Sequence, residues 1–326
     1  MKLLAGICLV GALVASTVQA AHDDSSIPPE DDTAWRLVWS DEFDSPVIDP
    51  ERWNLEVDCW GGGNAERQCY TNFDQNARIE DGHLVIEAHL GEAQGPALPA
   101  HMREGADAEA LAATQIQPFT SARLNTRDKG DWLYGRIEVR ARLPEGQGMW
   151  PAIWMLPTDE VYGSWASSGE IDILEAVNLG EPCRECRGGI ENRMFGTLHY
   201  GDVWPHNTYQ NRETVLPGRA EDGQEFHVFA IEWTAGEIRW FVDGETYGSL
   251  TRRRWRSASD EARGRPNAPF DQRFHLILNL AVGGHLAEGR NEGGVRLEGF
   301  PKNMLVDWVR VYDCPADLET ARACAE

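Results

Sequence analysis

Apolar and charged positions alternate strictly over residues 135–143. Ile137, Val139, Ala141 and Leu143 share one parity, and Arg136, Glu138, Arg140 and Arg142 share the other. A period of two puts each set on its own face of a strand, one buried and one wet. Elsewhere, Ile79 and the run Leu84-Val85-Ile86 flank Asp81-Gly82, which predicts a hairpin closed by a two-residue turn. Residues 226–233 and 238–242 read as another strand pair, with a turn at Asp243-Gly244. Residues 274–282 are nearly continuously apolar, the pattern of a central strand covered on both faces. Residues 306–312 supply a last strand.

No long amphipathic helix and no repeat interrupts this pattern. Residues 91–117, rich in Ala, Gly, Pro and Glu, read as a long surface insertion with one short helix near 109–113, and 252–269 as a second loop. Many strands with turn punctuation and no helical layer predict an all-β sandwich or jelly roll. With no linker in between, residues 34–314 form one domain and 315–326 a C-terminal tail.

The N-terminus has the layout of an export signal. Lys2 precedes an uncharged apolar run over 3–18, and Val18-Gln19-Ala20 offers small residues for cleavage. The run is too short and wrongly flanked for a membrane anchor, and no later segment reads as a span. A lipoprotein signal at Cys8 is set aside because Ile7 precedes it and it lies too early. Residues 1–20 are thus expected to be removed, and the polar stretch 21–33, with Pro28-Pro29, to be a disordered lead-in. Secreted or periplasmic placement follows. Signal removal leaves Cys59, Cys69, Cys183, Cys186, Cys314 and Cys324. An even number in an exported chain reads as disulfides, and sequential pairs close short loops. Cys183 and Cys186 have the spacing of a redox or metal half-site too, but no second ligand pair accompanies them, and a loop disulfide is favoured.

A net charge of −23 argues against nucleic acid as a partner and against an anionic polysaccharide. A neutral glycan is compatible, as is acidity that serves only solubility. Thirteen Trp residues exceed what a core of this size needs and suit a protein that stacks on sugar rings.

The chemistry centres on Gly169-Glu170-Ile171-Asp172-Ile173-Leu174-Glu175. On a strand Glu170 and Asp172 share a face and Ile171 and Ile173 share the other. Glu175, five residues from Glu170, falls on the wrong face of a regular strand, and Ile173-Leu174 breaks the alternation. A β-bulge near Ile173-Leu174 repairs both problems and turns all three acids into one groove. Two carboxyl groups about 5–5.5 Å apart are what a retaining glycosidase requires, one as nucleophile and one as acid/base. Asp172 between them would orient the nucleophile and help keep the acid protonated. Exposed acids on a wet strand face are the plain alternative.

Further motifs stand in order around this segment: Leu37-Val38-Trp39-Ser40-Asp41-Glu42-Phe43-Asp44, residues 148–157 with Trp150-Pro151-Ala152-Ile153-Trp154, Gly196-Thr197-Leu198-His199-Tyr200-Gly201, residues 278–284, and Val306-Asp307-Trp308-Val309-Arg310-Val311-Tyr312. Over about residues 37 to 313 the chain resembles glycoside hydrolase family 16, in particular its laminarinase-type endo-β-1,3-glucanases. The resemblance implies a β-jelly-roll of two stacked antiparallel sheets with a concave glycan-binding cleft. It implies Glu170 as nucleophile, Asp172 as its helper and Glu175 as acid/base, acting on β-1,3-glucan and also on mixed-linkage β-1,3-1,4-glucan. Trp150, Trp154 and Trp165 resemble cleft tryptophans, with buried core as the alternative for each; Trp165, in a Ser/Gly-rich loop, is the strongest. His199 resembles the family histidine near the acid/base. Asn64, Glu66 and Arg67 match a loop that lines the cleft, and Arg123 and Asn207 are weaker matches. No cofactor is expected for catalysis, but Glu42 and Asp307, with a backbone oxygen near Gly82, match a structural Ca²⁺ site of relatives. Residues 91–117 and 183–186 lie outside the likeness. The competing readings are a non-catalytic glucan-binding protein, disfavoured because all three acids are present, a transglycosylase, and a galactan hydrolase on the same fold. A monomer is the default.

Overall fold

The structure is a computed structural model that describes residues 34–218 and 225–325. The expected signal peptide and lead-in, 1–20 and 21–33, lie outside the described residues. Two sheets carry the described chain. The first runs in the order Glu245–Thr251, Glu237–Val242, His227–Thr234, Gly135–Arg142, Lys302–Asp313, His83–Pro96, Thr114–Ser121, Gln68–Tyr70. Arg36–Asp41 adds to Lys302–Asp313, and Ala77–Glu80 adds to His83–Pro96. The second runs Thr208–Val215, Arg193–Tyr200, Glu170–Ala176, Met149–Pro157, Phe274–Val282, Arg123–Asn125, Asn54–Leu55, with Asp131–Trp132 also on Phe274–Val282. Pairing is antiparallel apart from Gln68–Tyr70 with Thr114–Ser121, which is parallel, so the first sheet is mixed rather than wholly antiparallel. The all-β expectation holds: among the described residues the α-helices are five residues long, and none is long and apolar enough to cross a membrane.

Local chemistry explains the elements. The alternation over 135–143 becomes the strand Gly135–Arg142, whose Ile137, Val139 and Ala141 are fully buried. Together with Ile153, Met155, Ile171 and Leu278 of the second sheet they belong to one apolar core. Asp81 and Gly82 both take positive φ, 52° and 75°, the conformation a tight hairpin turn demands. Every residue of Phe274–Val282 is buried, because neighbours flank it on both sides within the sheet.

Two expectations need correcting. Residues 91–117 are not simply a loop: His83–Pro96 and Thr114–Ser121 continue as an antiparallel ribbon, with Ala93 opposite Gln117 and Pro96 opposite Thr114. Small residues on the ribbon concealed the alternation. The short helix is present as Ala108–Ala112, capped by the Asp107 side chain, which accepts from Ala110 N–H at 2.8 Å. The segment from 315 on is also no loose tail. Cys314–Cys324 pins it, and Thr320 C=O accepts from Ala235 N–H at 2.9 Å. The other cysteines pair sequentially as well, Cys59–Cys69 and Cys183–Cys186, which excludes a metal half-site while that bond stands.

Candidate active site

The acid strand contains the bulge its sequence calls for. Against Met149–Pro157, Ala152 pairs with Glu175, Ile153 with Leu174 and Trp154 with Asp172, which leaves Ile173 without a partner. Against Arg193–Tyr200, Asp172 faces Thr197 and Glu175 faces Phe195, so Ile173 and Leu174 together oppose Gly196. Both are fully buried. The extra residue shifts the parity, and Glu175 joins Glu170 and Asp172 on one face.

Two residues that sequence reasoning missed hold the bulge. The Trp240 indole, reaching across from the first sheet, donates to the Asp172 carbonyl at 2.8 Å. Gly196 makes room for that ring: a Cβ there would lie 2.2 Å from Trp240 Cδ1. A glycine inside a strand pattern is the signal that could have found this close approach.

Each carboxylate is held by an aromatic donor or a histidine. Trp165 Nε1 donates to Glu170 Oε2 at 2.7 Å, and Trp150 Nε1 to Glu175 Oε1 at 3.1 Å. His199 Nε2 stands 3.5 Å from Glu170 Oε1 and 3.4 Å from Asp172 Oδ2, electrostatic contacts rather than short hydrogen bonds. Burial pushes the Asp172 carboxyl well up, and the charges of Glu170 and Glu175 push it further. Burial likewise raises Glu175; Glu170 adds to this, while His199 and the Trp150 hydrogen bond pull the other way. For His199 burial opposes the imidazolium, yet the surrounding acids outweigh it and its pKa is pushed up to about 10. The arrangement therefore sets Glu175, whose carboxyl is biased toward holding its proton, beside Glu170, which faces the His199 ring. That is the division of labour acid/base and nucleophilic chemistry needs.

On the flank toward Phe274–Val282, a buried network joins several of the predicted residues. Trp154 Nε1 donates to Asn279 Oδ1 at 2.6 Å, Asn279 Nδ2 to the Tyr70 hydroxyl at 3.1 Å, and that hydroxyl to Glu66 Oε2 at 3.3 Å. Asn64 donates to Glu66 Oε1 at 3.3 Å, and the Arg123 guanidinium lies over the rings of Tyr70 and Trp154 at 4.5 and 5.3 Å. Asn279 and Tyr70 were not singled out from sequence, although a lone amide inside the apolar run 274–282 marks a polar duty. Trp150 is only 8% exposed, so its role runs through its N–H and edge rather than through an open ring face. Arg67 pairs with Glu288, Nε to Oε1 at 2.5 Å, which commits its charge. Asn207 lies just before Thr208–Val215, and among the described residues no hydrogen bond links its side chain to the acids.

The residues matched to a calcium site do not fit the ion as placed. Arg310 occupies both Glu42 oxygens, at 3.0 and 2.7 Å. Asp307 is paired with Arg140 and lies 3.5 Å from His83 Nε2, next to Gly82. Calcium needs several uncommitted oxygens, and these are neutralised by the chain itself. Glu170, Asp172 and His199 also converge, with ligand atoms within 4.8 Å of one another; a histidine ring facing two carboxyl groups accounts for that cluster.

Comparisons with known proteins agree with this geometry. Glucan endo-1,3-beta-glucosidase A1 of Niallia circulans is 38% identical over 302 residues, 89% of this chain; the chain spans 40% of that relative's length. Beta-glucanase of Rhodothermus marinus is 43% identical over 284 residues, covering 85% of each chain. The X-ray structure of the laminarinase from Rhodothermus marinus superposes with a TM-score of 0.65 at 40% identity, over 85% of this chain and 97% of that one. The family model described as glycosyl hydrolases family 16 matches residues 99–296, more than half of the sequence. With acids, fold and relatives in agreement, the chain belongs to glycosyl hydrolases family 16 and is a glycosidase.

Proposed function

We propose that this glycosidase is an endo-acting, retaining β-1,3-glucanase that also accepts mixed-linkage β-1,3-1,4-glucan. The observation that carries the reading is the bulge at Ile173, which brings Glu175 to the face of Glu170 and Asp172. The relatives named for β-1,3-glucan and laminarin supply the substrate class.

In the first step a Glu170 oxygen attacks the anomeric carbon while the Glu175 carboxyl gives its proton to the departing glycosidic oxygen. Glu170 is then esterified to the sugar. In the second step the Glu175 carboxylate takes a proton from water, the water oxygen attacks the anomeric carbon, and the ester bond to Glu170 breaks. Asp172, kept toward its neutral form by burial between the glutamates, orients Glu170. His199 offsets the negative charge that three clustered carboxyls accumulate. Trp165 and Trp150 fix the two reacting side chains through their indole N–H groups. The chain works outside the cytoplasm in this proposal, which its three disulfides support.

The test is release of reducing ends from laminarin by the mature protein, beside Glu170→Ala and Glu175→Ala, with mixed-linkage glucan, agarose and carrageenan as further substrates. The expected result is laminarin cleavage that both variants lose while still binding the glycan, with a first-formed product of β configuration by NMR. A wild type that binds laminarin and cuts nothing would make it a binding protein. Cleavage confined to agarose or carrageenan would overturn the substrate, and an α first product would overturn the retaining mechanism.

A further inference from the structure

Glu170 and Glu175 are spaced along one strand and must flank the bond they cleave. A glycan held between them therefore crosses the strands of the sheet rather than following them. In one direction its path leads over Trp154 toward Arg123. In the other it leads over Arg193–Tyr200 to the edge strand Thr208–Val215.

The register defines what lies there. Glu170 is opposite His199, and His199 is opposite Tyr209; Asp172 is opposite Thr197, and Thr197 is opposite Asn211. Partners directly opposite share a face, so Tyr209 and Asn211 lie on the face of the acids. The Tyr209 ring sits 5.6 Å from that of His199 at 33°, with Trp165 on another side of the imidazole at 5.8 Å. The loop that precedes the edge strand carries Trp204, whose backbone amide donates to the Trp165 carbonyl at 3.4 Å, leaving the indole ring in solvent. Trp204 is 73% exposed and Tyr209 61%, next to Trp165 at 37%. Exposed aromatic surface gathered beside an active site marks a binding surface, and a flat ring face open to solvent suits the apolar face of a pyranose.

We propose that Tyr209 and Trp204 form a sugar-stacking subsite at the sheet edge, the far end of a cleft that binds several sugar units. Its occupant is a β-linked neutral hexose unit of the chain being cut. The edge strand lies two strand spacings from the acids, on the order of 10 Å. Long glucans reach it, and short oligosaccharides bound at the acids do not. This inference rests on the glycan-cleaving reading above and assigns that site a length-specificity device.

The experiment measures binding of a laminarin oligosaccharide series to the cleavage-dead Glu170→Ala protein by calorimetry, with and without Trp204→Ala and Tyr209→Ala. In parallel, kcat and KM are measured for the same substitutions in the active protein. The expected result is a roughly 3- to 10-fold loss of affinity for long oligosaccharides, the size of one aromatic contact, and little loss for the shortest. It should appear in KM rather than kcat, with Trp204→Phe and Tyr209→Phe restoring most of it. Equal weakening at every length, or no weakening of the long ones, overturns the subsite. A wild type that cuts no glucan overturns the function instead, and the binding series then still decides the subsite.

Discussion

Two strands of this molecule line up charged side chains along one face, and they use them differently. In Gly135–Arg142 the wet face is balanced. Arg136 pairs with Glu138 and Glu232, Arg140 with Asp307, and Arg142 donates to Asn303 at 3.0 Å. In Glu170–Ala176 three acids share one imidazole and two indole N–H groups. The balanced face stays near the surface, whereas burial and mutual repulsion raise Asp172 and Glu175. The difference teaches that charge alternation alone does not mark a functional strand. An excess of one sign, removed from water, does.

Glu175→Gln is expected to break the comparison most. It keeps the shape and the Trp150 contact but removes the proton donor, which should cost more than about 10²-fold in kcat on laminarin. Release of reducing ends checks this; a variant with near-wild-type kcat would show that Glu175 is not the acid/base. Gly196→Ala comes next. Its Cβ collides with Trp240, so overpacking should lower stability by about 1–3 kcal/mol and loosen the Asp172 carbonyl. Trp240→Phe should lower stability by a similar amount by leaving that carbonyl unpaired, about 1–3 kcal/mol, read by chemical denaturation.

His199→Asn changes a pH profile. The imidazolium lowers the Glu175 pKa, so its removal should let that pKa rise and carry the alkaline limb of kcat/KM upward; a downward shift would refute the assignment. The His199 pKa is raised on folding. Its stabilisation is therefore complete below about 6.5 and lost as pH climbs toward about 10. The wild-type melting temperature should fall across that window, and the variant's slope should be flatter. The smallest effect belongs to the balanced strand: Arg140→Leu should cost at most about 1 kcal/mol and leave kcat on laminarin unchanged.

Much of this was legible without coordinates. The bulge followed from parity: Glu175 had to change faces, and Ile173-Leu174 showed where. The hairpin at Asp81-Gly82 and the central strand Phe274–Val282 followed from turn chemistry and an apolar run. The ribbon within 91–117 did not, because its small residues carry no alternation and its pairing is long-range. Nor did the commitment of Glu42 and Arg67 to Arg310 and Glu288. A sequence shows which residues can ligate, but not which partner reaches them first.

The sequence by itself determined the all-β class and the face each acid occupies, because these depend on periodicity and short-range geometry. Only the tertiary structure decided that Trp240 crosses from the other sheet to hold the Asp172 carbonyl, that Asn279 and Tyr70 tie Trp154 to Glu66, and that His199 faces two acids at once. The physical reason is that pKa and orientation arise from burial and from neighbours brought together by packing, and residues 68 positions apart in the chain carry no mark in either neighbourhood that they will meet.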